Sequence, residues 1–154
     1  MNVGTSPVTR PGCLPQDIEW RLPSHPRSVG RARTLLRHQV SSWRVPEDAA
    51  DTAVLLLSEL MTNACRHGHA SPGREISARC LLSDTTLRVE VSDAGNELPR
   101  LRRSSPDDES GRGLALVAAL ADTWNTDPRP CGIGKTVWFE LTLHAELAAQ
   151  PARP

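Results

Sequence analysis

The amino-acid sequence predicts an α+β fold, a two-layer sandwich in which a mostly antiparallel sheet carries its helices on one face. Two observations support this prediction. Short stretches of alternating apolar and polar residues are separated by longer stretches whose apolar residues have helical spacing. Their order is strand, two helices, two strands, loop, helix and two strands. With 154 residues, of which 38% are apolar, the chain has room for one domain of ordinary size.

One strand and two helices are predicted in the first half of the domain. Residues 17–22 alternate apolar and charged side chains, as the half-buried edge strand of a sheet does. Ser24 follows a proline and is predicted to cap a first helix that ends near Trp43. A second helix is predicted from Pro46, a residue that suits the first helical position, to about His67.

A hairpin, a long polar loop, a short helix and two more strands are predicted in the second half. The hairpin is indicated by two alternating segments joined by a turn around Ser83 and Asp84. The loop is long enough that we expect it to have a function. In chain order, these elements are predicted at residues 75–82 and 86–92, 96–109, 113–121, and 123–126 and 135–143.

Flexible tails are predicted on both sides of this domain. Residues 1–16 are rich in proline, glycine and small polar residues and show no periodicity. Residues 144–154 have the pattern of a frayed helix. The domain itself is expected to occupy residues 17–143.

The charge balance and the cysteines exclude several functional classes. Lysine plus arginine and aspartate plus glutamate each number 18, so no global electric field favours nucleic acid or an anionic membrane. The four cysteines stand far apart without a C-x-x-C pair, and no signal peptide precedes them, which predicts reduced thiols in the cytoplasm. No apolar run approaches the roughly 20 residues that cross a bilayer.

Three segments carry residues suited to chemistry, and the first is the end of the second predicted helix. Glu59 and Asn63 fall on one face of this helix with, roughly, Arg66 and His67, because residues three and four apart are neighbours on a helix. A carboxylate and an amide one turn apart can serve as a proton acceptor and as an oxygen ligand for Mg²⁺. A polar helix face in contact with water is the alternative interpretation.

The second segment follows the strand predicted at residues 86–92. Asp93 comes directly after this strand and is itself followed by Ala94 and Gly95. A carboxylate at a strand end can accept the exocyclic amine hydrogen of adenine, and a glycine lets the backbone turn close beside a flat ring. An ordinary Asp-x-Gly turn is the alternative that the residues leave open.

The third segment, Gly111-Arg112-Gly113, is the entry to the short apolar helix predicted at residues 113–121. Its glycines can bring backbone N–H groups and the positive end of the helix dipole against a phosphate. Arg112 can add a positive charge to such a contact. A flexible entry to a helix explains the same residues.

The closing strand begins with Gly134-Lys135-Thr136, which is the ending of a P-loop sequence. The interpretation as a P-loop fails, because Arg129 stands where the first glycine of that loop is needed and a strand pattern follows instead of a helix. Thr136 is therefore predicted to lie in a core strand, with a hydroxyl able to point at a ligand.

Taken together and in this order, these segments resemble the Bergerat ATP-binding (GHKL) superfamily, which includes DNA gyrase, heat-shock chaperones, histidine kinases and mismatch-repair ATPases. The resemblance is closer to the small anti-sigma-factor serine/threonine kinases of bacterial partner switching and to related stand-alone ATP-binding regulators. It spans about residues 17–143. Residues 59–68 match the N box of the family, 93–95 its first glycine box, 111–117 its second, and 134–141 its closing strand.

The resemblance implies ATP with Mg²⁺ as ligands and a role for each matching residue. Asn63 would coordinate Mg²⁺, Asp93 would hold the adenine, and Glu59 would be the general base that takes a proton from a serine or threonine hydroxyl. Residues 96–110 would form a lid over the phosphates. The nucleotide-binding residues implied in this way are Asn63, Arg66, Asp93, Gly95, Gly111, Arg112, Gly113, Leu114 and Thr136.

The resemblance also implies partners. The leading interpretation is a kinase that phosphorylates an anti-anti-sigma (STAS-like) protein and, in one nucleotide state, sequesters a sigma factor. Two alternatives stay open: a nucleotide-dependent binding module with negligible phosphotransfer, and a histidine-kinase-like ATPase fragment that acts on a histidine of a partner. No direct contact with nucleic acid or membrane is expected. A homodimer through the predicted edge strand is a hypothesis by analogy.

Overall fold

The computed structural model describes residues 16–67, 74–93, 109–129 and 134–144. Within these ranges the chain forms five strands and three helices, in the predicted order. The elements are β1 (Gln16–Pro23), α1 (Arg27–Ser42), α2 (Glu47–His67), β2 (Glu75–Leu82), β3 (Thr86–Asp93), α3 (Glu109–Leu120), β4 (Thr123–Pro128) and β5 (Lys135–Thr142). The predicted tails and the predicted loop at 96–109 fall almost entirely outside the described residues.

The strands form one antiparallel sheet in the order β1-β2-β3-β5-β4. This confirms the α+β class predicted from the sequence. β1 forms one edge, as predicted, and pairs with β2 along its whole length. β3 and β5 lie side by side in the sheet, although α3 and β4 separate them along the chain.

The three helices pack on one face of the sheet, and α2 contacts both other helices as well as β2, β3 and β5. The apolar side of α2 faces the sheet, with Leu56 and Leu57 fully buried. Phe139 of β5 is the largest fully buried side chain among the described residues. Burying each such side chain contributes about 1.5–3 kcal/mol, so the core fixes α2 over the middle of the sheet.

Charged side chains cover the opposite face of the sheet. Nε of Arg88 on β3 donates to Glu90 at 2.8 Å, and Nη1 of the same residue donates to Glu140 on β5 at 3.0 Å. On β2, Nη1 of Arg79 lies 3.8 Å from Oε2 of Glu90. Arg79 also pairs with Asp17 of β1. The resulting row of ion pairs consists, from β1 to β5, of Asp17, Arg79, Glu90, Arg88 and Glu140.

Trp138 of β5 extends this charged face towards the edge of the sheet. Its ring centroid lies 3.8 Å from the guanidinium carbon of Arg88, a cation–π contact. Its Nε1 donates to Asp127 on β4 at 2.9 Å. The indole therefore connects the row of ion pairs to β4.

The first helix begins later than predicted, and Ser24 does not cap it. α1 starts at Arg27, and Pro26 before it makes no side-chain capping bond. The N–H of Arg27 donates instead to Nδ1 of His25 at 3.1 Å, and within the described part of the chain Oγ of Ser24 has no hydrogen-bond partner. The cause is the bend at residues 24–26, which separates Ser24 from the first helical turn.

The third helix begins earlier than predicted, at Glu109 rather than at Gly113. Residues 111–113 therefore lie in its first turns instead of forming a loop in front of it. Glycine within a helix costs about 1 kcal/mol relative to alanine, which is why the sequence pattern places the boundary after these residues. Packing of α3 against α2 and β4 accompanies the longer helix.

Cys65 and Cys80 carry free, buried thiols, whereas Cys13 and Cys131 lie outside the described residues. The described ranges contain no cluster of three or more histidine, cysteine or acidic side chains that could hold a metal ion. Among the described helices, none combines the length and the apolar character needed to cross a membrane.

The Cys80 thiol predicts a loss of stability in alkali. Burial, with a smaller contribution from the charge of Asp17, raises the pKa of this thiol from 9.0 to about 12. The folded protein therefore keeps a proton that the unfolded chain loses above about pH 9, so stability falls as the pH rises through this interval. We expect this group to lower the free energy of unfolding by about 1.4 kcal/mol per pH unit above pH 9, as measured by urea denaturation.

Cys80→Ala is the control, because it removes the titrating thiol and keeps a small apolar side chain. Its free energy of unfolding should decline less steeply than that of the wild type between about pH 9 and 10.5. Parallel declines in the two proteins would contradict the role assigned to this thiol.

Candidate functional site

Four elements meet at a small pocket beside the end of β3. The polar groups in it are an amide from α2, a carboxylate from β3 and an ammonium from β5. The cavity has a volume of about 10 Å³, which is about the room that one water molecule needs. Its lining residues are Leu60, Asn63 and Ala64 of α2, Val91 and Asp93 of β3, Leu114 of α3, and Lys135 and Val137 of β5.

A buried ion pair lies inside this pocket. Nζ of Lys135 is 3.4 Å from Oδ1 of Asp93, and the two side chains are only 6% and 4% exposed. Moving two opposite charges out of water is costly, and their attraction offsets this cost only when the charges are close. The pocket therefore presents a carboxylate and an ammonium within a mostly apolar lining.

The register of the sheet and one glycine place these charges together. Asp93 is the last residue of β3, Lys135 is the first of β5, and the two are directly opposite in the antiparallel pairing. Gly134, immediately before, has a φ of 85°, a conformation that side chains with a Cβ disfavour. Its carbonyl accepts the N–H of Arg129 at 3.1 Å. A larger residue at position 134 would strain the turn that leads into Lys135.

The predicted polar face of α2 reaches the pocket through Asn63. This residue is half-buried and lines the cavity. Glu59, one turn earlier on α2, is also half-buried but does not line the cavity. Arg66, near the end of the helix, is exposed. The structure thus brings Asn63 and Asp93 to one pocket and places Glu59 one helical turn away from Asn63.

The segment Gly111-Arg112-Gly113 is connected to the pocket through α3, the helix that contains it. Leu114 is 2% exposed and lines the cavity from α3. The backbone of Gly111, Arg112 and Gly113 forms the helical turn that leads to Leu114. Gly95 lies outside the described residues.

Thr136 is not brought to this pocket. Successive residues of a strand point to opposite faces, and Lys135 and Val137 point towards the helices. Thr136 therefore points to the open face of the sheet, where its Oγ1 lies 2.7 Å from Oγ of Ser92. Its hydroxyl, which the sequence predicts to point at a ligand, thus lies on the face of the sheet opposite the pocket.

Lys135 is the pocket residue that the sequence interpretation misses, because it considers this lysine only as part of a rejected P-loop and of the closing strand, without a role in the site. The signal that identifies it is the burial pattern of β5, in which Val137, Phe139 and Leu141 are the inward residues. Lys135 shares their face. A charged side chain at an inward position requires a buried partner, and Asp93 stands directly opposite.

Comparison with known proteins identifies the family of this chain. The family model described as "Histidine kinase-like ATPase domain" matches residues 22–141, which is more than half of the chain. The chain belongs to the histidine kinase-like ATPase domain family. It is accordingly an ATP-binding domain, and the resemblance to the Bergerat superfamily is confirmed at this level. A search of curated proteins finds no match.

Two solved structures share the fold of this ATPase domain. The blue-light activated histidine kinase of Erythrobacter litoralis EL346 has a TM-score of 0.54 and 22% identity, over 82% of this chain and 44% of that one. The histidine kinase domain of the same protein has a TM-score of 0.52 and 22% identity, over 84% and 67%. The chain thus spans less than half the length of the first structure, and at this identity the likeness shows the fold alone.

The buried ion pair predicts strong coupling between Asp93 and Lys135. Lys135→Met leaves the carboxylate buried without this ammonium and is expected to lower the free energy of unfolding by about 3 kcal/mol. The double variant with Asp93→Asn is expected to lose less than the two single losses added together, because both charges are gone. Urea denaturation of the four proteins measures the coupling energy.

Arg37 and Asp51 provide a matched exposed pair as the control. Their side chains are 59% and 60% exposed and 3.2 Å apart. The same cycle with Arg37→Met and Asp51→Asn is expected to give a coupling energy below about 1 kcal/mol. Equal coupling in the two pairs would contradict the importance assigned to burial.

Proposed function

We propose that this histidine kinase-like ATPase domain is an ATP- and Mg²⁺-dependent serine/threonine kinase that acts on an anti-anti-sigma partner. The observation that carries the proposal is that Asn63 and Asp93 line one pocket while Glu59 lies one helical turn from Asn63. These residues provide a metal ligand, a hydrogen-bond acceptor for the adenine and a proton acceptor. The adenine acceptor serves ATP binding, and the other two serve phosphoryl transfer.

Asp93 supports recognition of adenine. A carboxylate accepts a hydrogen bond from the exocyclic amine of adenine, whereas at the same position guanine carries an oxygen that cannot donate. The carboxylate is buried in the pocket, where exclusion of water strengthens such a hydrogen bond. Leu60 and Leu114 line the same cavity and offer apolar surface for a flat ring. We therefore expect ATP to be preferred to GTP.

Asn63 fits the ligand chemistry of Mg²⁺. Its amide oxygen is a hard donor of the kind that this ion prefers, and Mg²⁺ usually takes only one or two protein ligands beside phosphate oxygens and water. When bound, the ion would neutralise charge on the phosphates. The first turn of α3, which leads to Leu114, has backbone N–H groups without acceptors inside the helix, and such groups bind phosphate.

Glu59 is the group suited to accept the proton of the partner's hydroxyl. It lies half-buried on α2, one turn before Asn63. As the hydroxyl oxygen of the acceptor serine or threonine bonds to the γ-phosphorus, the bond from that phosphorus to ADP breaks. The hydroxyl proton passes to the carboxylate of Glu59. The products are ADP and a phosphorylated partner.

The partners in this proposal are an anti-anti-sigma (STAS-like) protein as phosphate acceptor and a sigma factor that is sequestered in one nucleotide state, both in the cytoplasm. What supports them is the resemblance of the motifs to anti-sigma-factor kinases. A homodimer is part of the same proposal, because the edge strand β1 offers backbone groups to a second copy. A monomer mass measured by light scattering at high protein concentration would contradict the proposed homodimer.

A nucleotide-dependent binding module is the second candidate function. The observation in its favour is that Glu59 does not line the described cavity, whereas Asn63 and Asp93 do. A protein of this kind binds ATP through the same pocket and signals without phosphotransfer.

Substitutions in the pocket are expected to weaken ATP binding. Asp93→Asn replaces a charged acceptor by an amide and should raise the Kd by about 10- to 100-fold. Asn63→Ala should raise the Kd when Mg²⁺ is present and have little effect when EDTA removes it. Titration calorimetry with ATP under both conditions measures these changes.

Asp51→Asn and Asn125→Ala are the matched controls, since both residues are exposed and neither lines the pocket. Both should bind ATP as the wild type does. Absence of ATP binding by the wild-type protein would overturn the proposal, and so would an Asp93→Asn variant with unchanged affinity.

Glu59→Gln distinguishes the kinase from the binding module. If Glu59 accepts the proton, the variant should keep its affinity for ATP and transfer phosphate about 10²- to 10⁴-fold more slowly. The measurement is transfer of label from γ-labelled ATP to purified anti-anti-sigma proteins of the same organism. Glu47→Gln, at the exposed start of the same helix, is the matched control.

Two outcomes would count against the kinase. Binding of ATP without transfer to any of these acceptors would favour the binding module. Transfer at an unchanged rate in Glu59→Gln would contradict the role of Glu59 as the proton acceptor.

A further inference from the structure

The chain has a single lysine among its 18 basic residues, and this lysine lines the pocket. The side chain of Lys135 is 6% exposed, and its Nζ lies 3.4 Å from Oδ1 of Asp93. An ammonium is compact and strongly hydrated, and lysine is almost never fully buried unless it is paired. Asp93 is thus the reason that this ammonium stays in a mostly apolar pocket.

The same carboxylate is the group that would accept the amine of a nucleotide base. Among the residues that the structure describes, the cavity beside this carboxylate has a volume of about 10 Å³, whereas pockets for small ligands hold about 300 Å³ or more. A base and the ammonium of Lys135 therefore compete both for Asp93 and for space. Binding of a base requires that some part of the lining moves.

Lys135 is the part of the lining best able to move. Leu60 and Val137 belong to the buried hydrophobic core, so displacing either of them would break packing contacts in the core. Lys135 stands at the very start of β5, next to Gly134 with its left-handed φ of 85°. Its flexible four-carbon chain can carry the ammonium out of the pocket without a change in the strand.

We propose that Lys135 is an internal competitor for the nucleotide base, which pairs with Asp93 in the nucleotide-free protein and is displaced towards solvent when the base binds. The inference rests on the proposed function, because it requires that the base binds at Asp93. It assigns to Lys135 the task of setting nucleotide affinity. In the nucleotide-free domain, the ammonium of Lys135 keeps the pocket closed and balances the negative charge of Asp93.

The size of the effect follows from the population of the closed pocket. The apparent Kd equals the intrinsic Kd divided by the fraction of molecules whose pocket is open. If the paired state accounts for about nine-tenths or more of the molecules, loss of the ammonium lowers the Kd about tenfold or more. Tighter binding after removal of a charged pocket residue is the distinctive result, since a residue that contacts the nucleotide would have the opposite effect.

Calorimetric titration of Lys135→Ala with ATP and Mg²⁺ tests this proposal. The variant lacks both the ammonium and the chain that carries it, so neither charge nor volume at this position competes with the base, and we expect a Kd at least about tenfold lower than that of the wild type. Arg88→Ala is the matched control, because it also removes the cation of an ion pair, on the opposite face of the sheet. Its Kd should equal that of the wild type.

The possible results separate this inference from the proposed function. A Kd for Lys135→Ala that is equal to or higher than that of a wild type that binds ATP overturns the inference and leaves the proposed function intact. Absence of binding in both proteins overturns both. Binding by Lys135→Ala alone supports the inference.

The wild-type protein gives a second test that needs no substitution. Because Lys135 is the only lysine, labelling with ¹³C-lysine yields one set of side-chain NMR signals that report on it alone. We expect the ε-methylene signal of the nucleotide-free protein to be protected from a soluble gadolinium chelate, and protection to fall on addition of the ATP analogue AMP-PNP with Mg²⁺. Protection that is unchanged or higher at saturating analogue would overturn the displacement.

Discussion

The pairing of β3 with β5 is the contact on which both the fold and the pocket depend. The chain passes through α3 and β4 between these strands, so their pairing joins the two parts of the sheet. The register places Asp93 opposite Lys135 and Arg88 opposite Glu140. The first pair faces the helices and the second faces the open side. A slip of one residue would exchange the two faces and put apolar side chains in water.

The sequence predicts the elements well where a single periodicity applies over the whole segment. The bounds predicted for β2, residues 75–82, are those of the structure, because alternation is clear and the segment has turn residues at its end. Helix ends are less predictable, since they depend on the conformation of one or two residues. Arg44 follows α1 with a φ of 56°, and its N–H and that of Val45 donate to carbonyls of the last helical turn. Glycine is usual at such a position and is absent here, although the predicted end near Trp43 agrees with the structure; the error lies at the start of α1, where the sequence predicts Ser24 as the cap.

The candidate site likewise contains residues that the sequence predicts and one that it does not. Asn63 and Asp93 could be predicted because each is part of a local motif, on a helix and at a strand end. The position of Lys135 follows from pairing between residues 42 apart along the chain, and no local pattern supplies that register. Thr136 shows the converse error, because a shift of one position along a strand decides whether a side chain faces the helices or the open side.

The row of ion pairs on the open face restricts how this sequence can diverge. Arg88 contacts two carboxylates and Glu90 contacts two guanidinium groups. Replacement of any one member therefore weakens the surroundings of another, and such effects are not additive. The members of the row are therefore expected to change together, with an exchange at one position compensated at its partner. The pocket lies on the other side of the sheet, so its residues can evolve separately from the row.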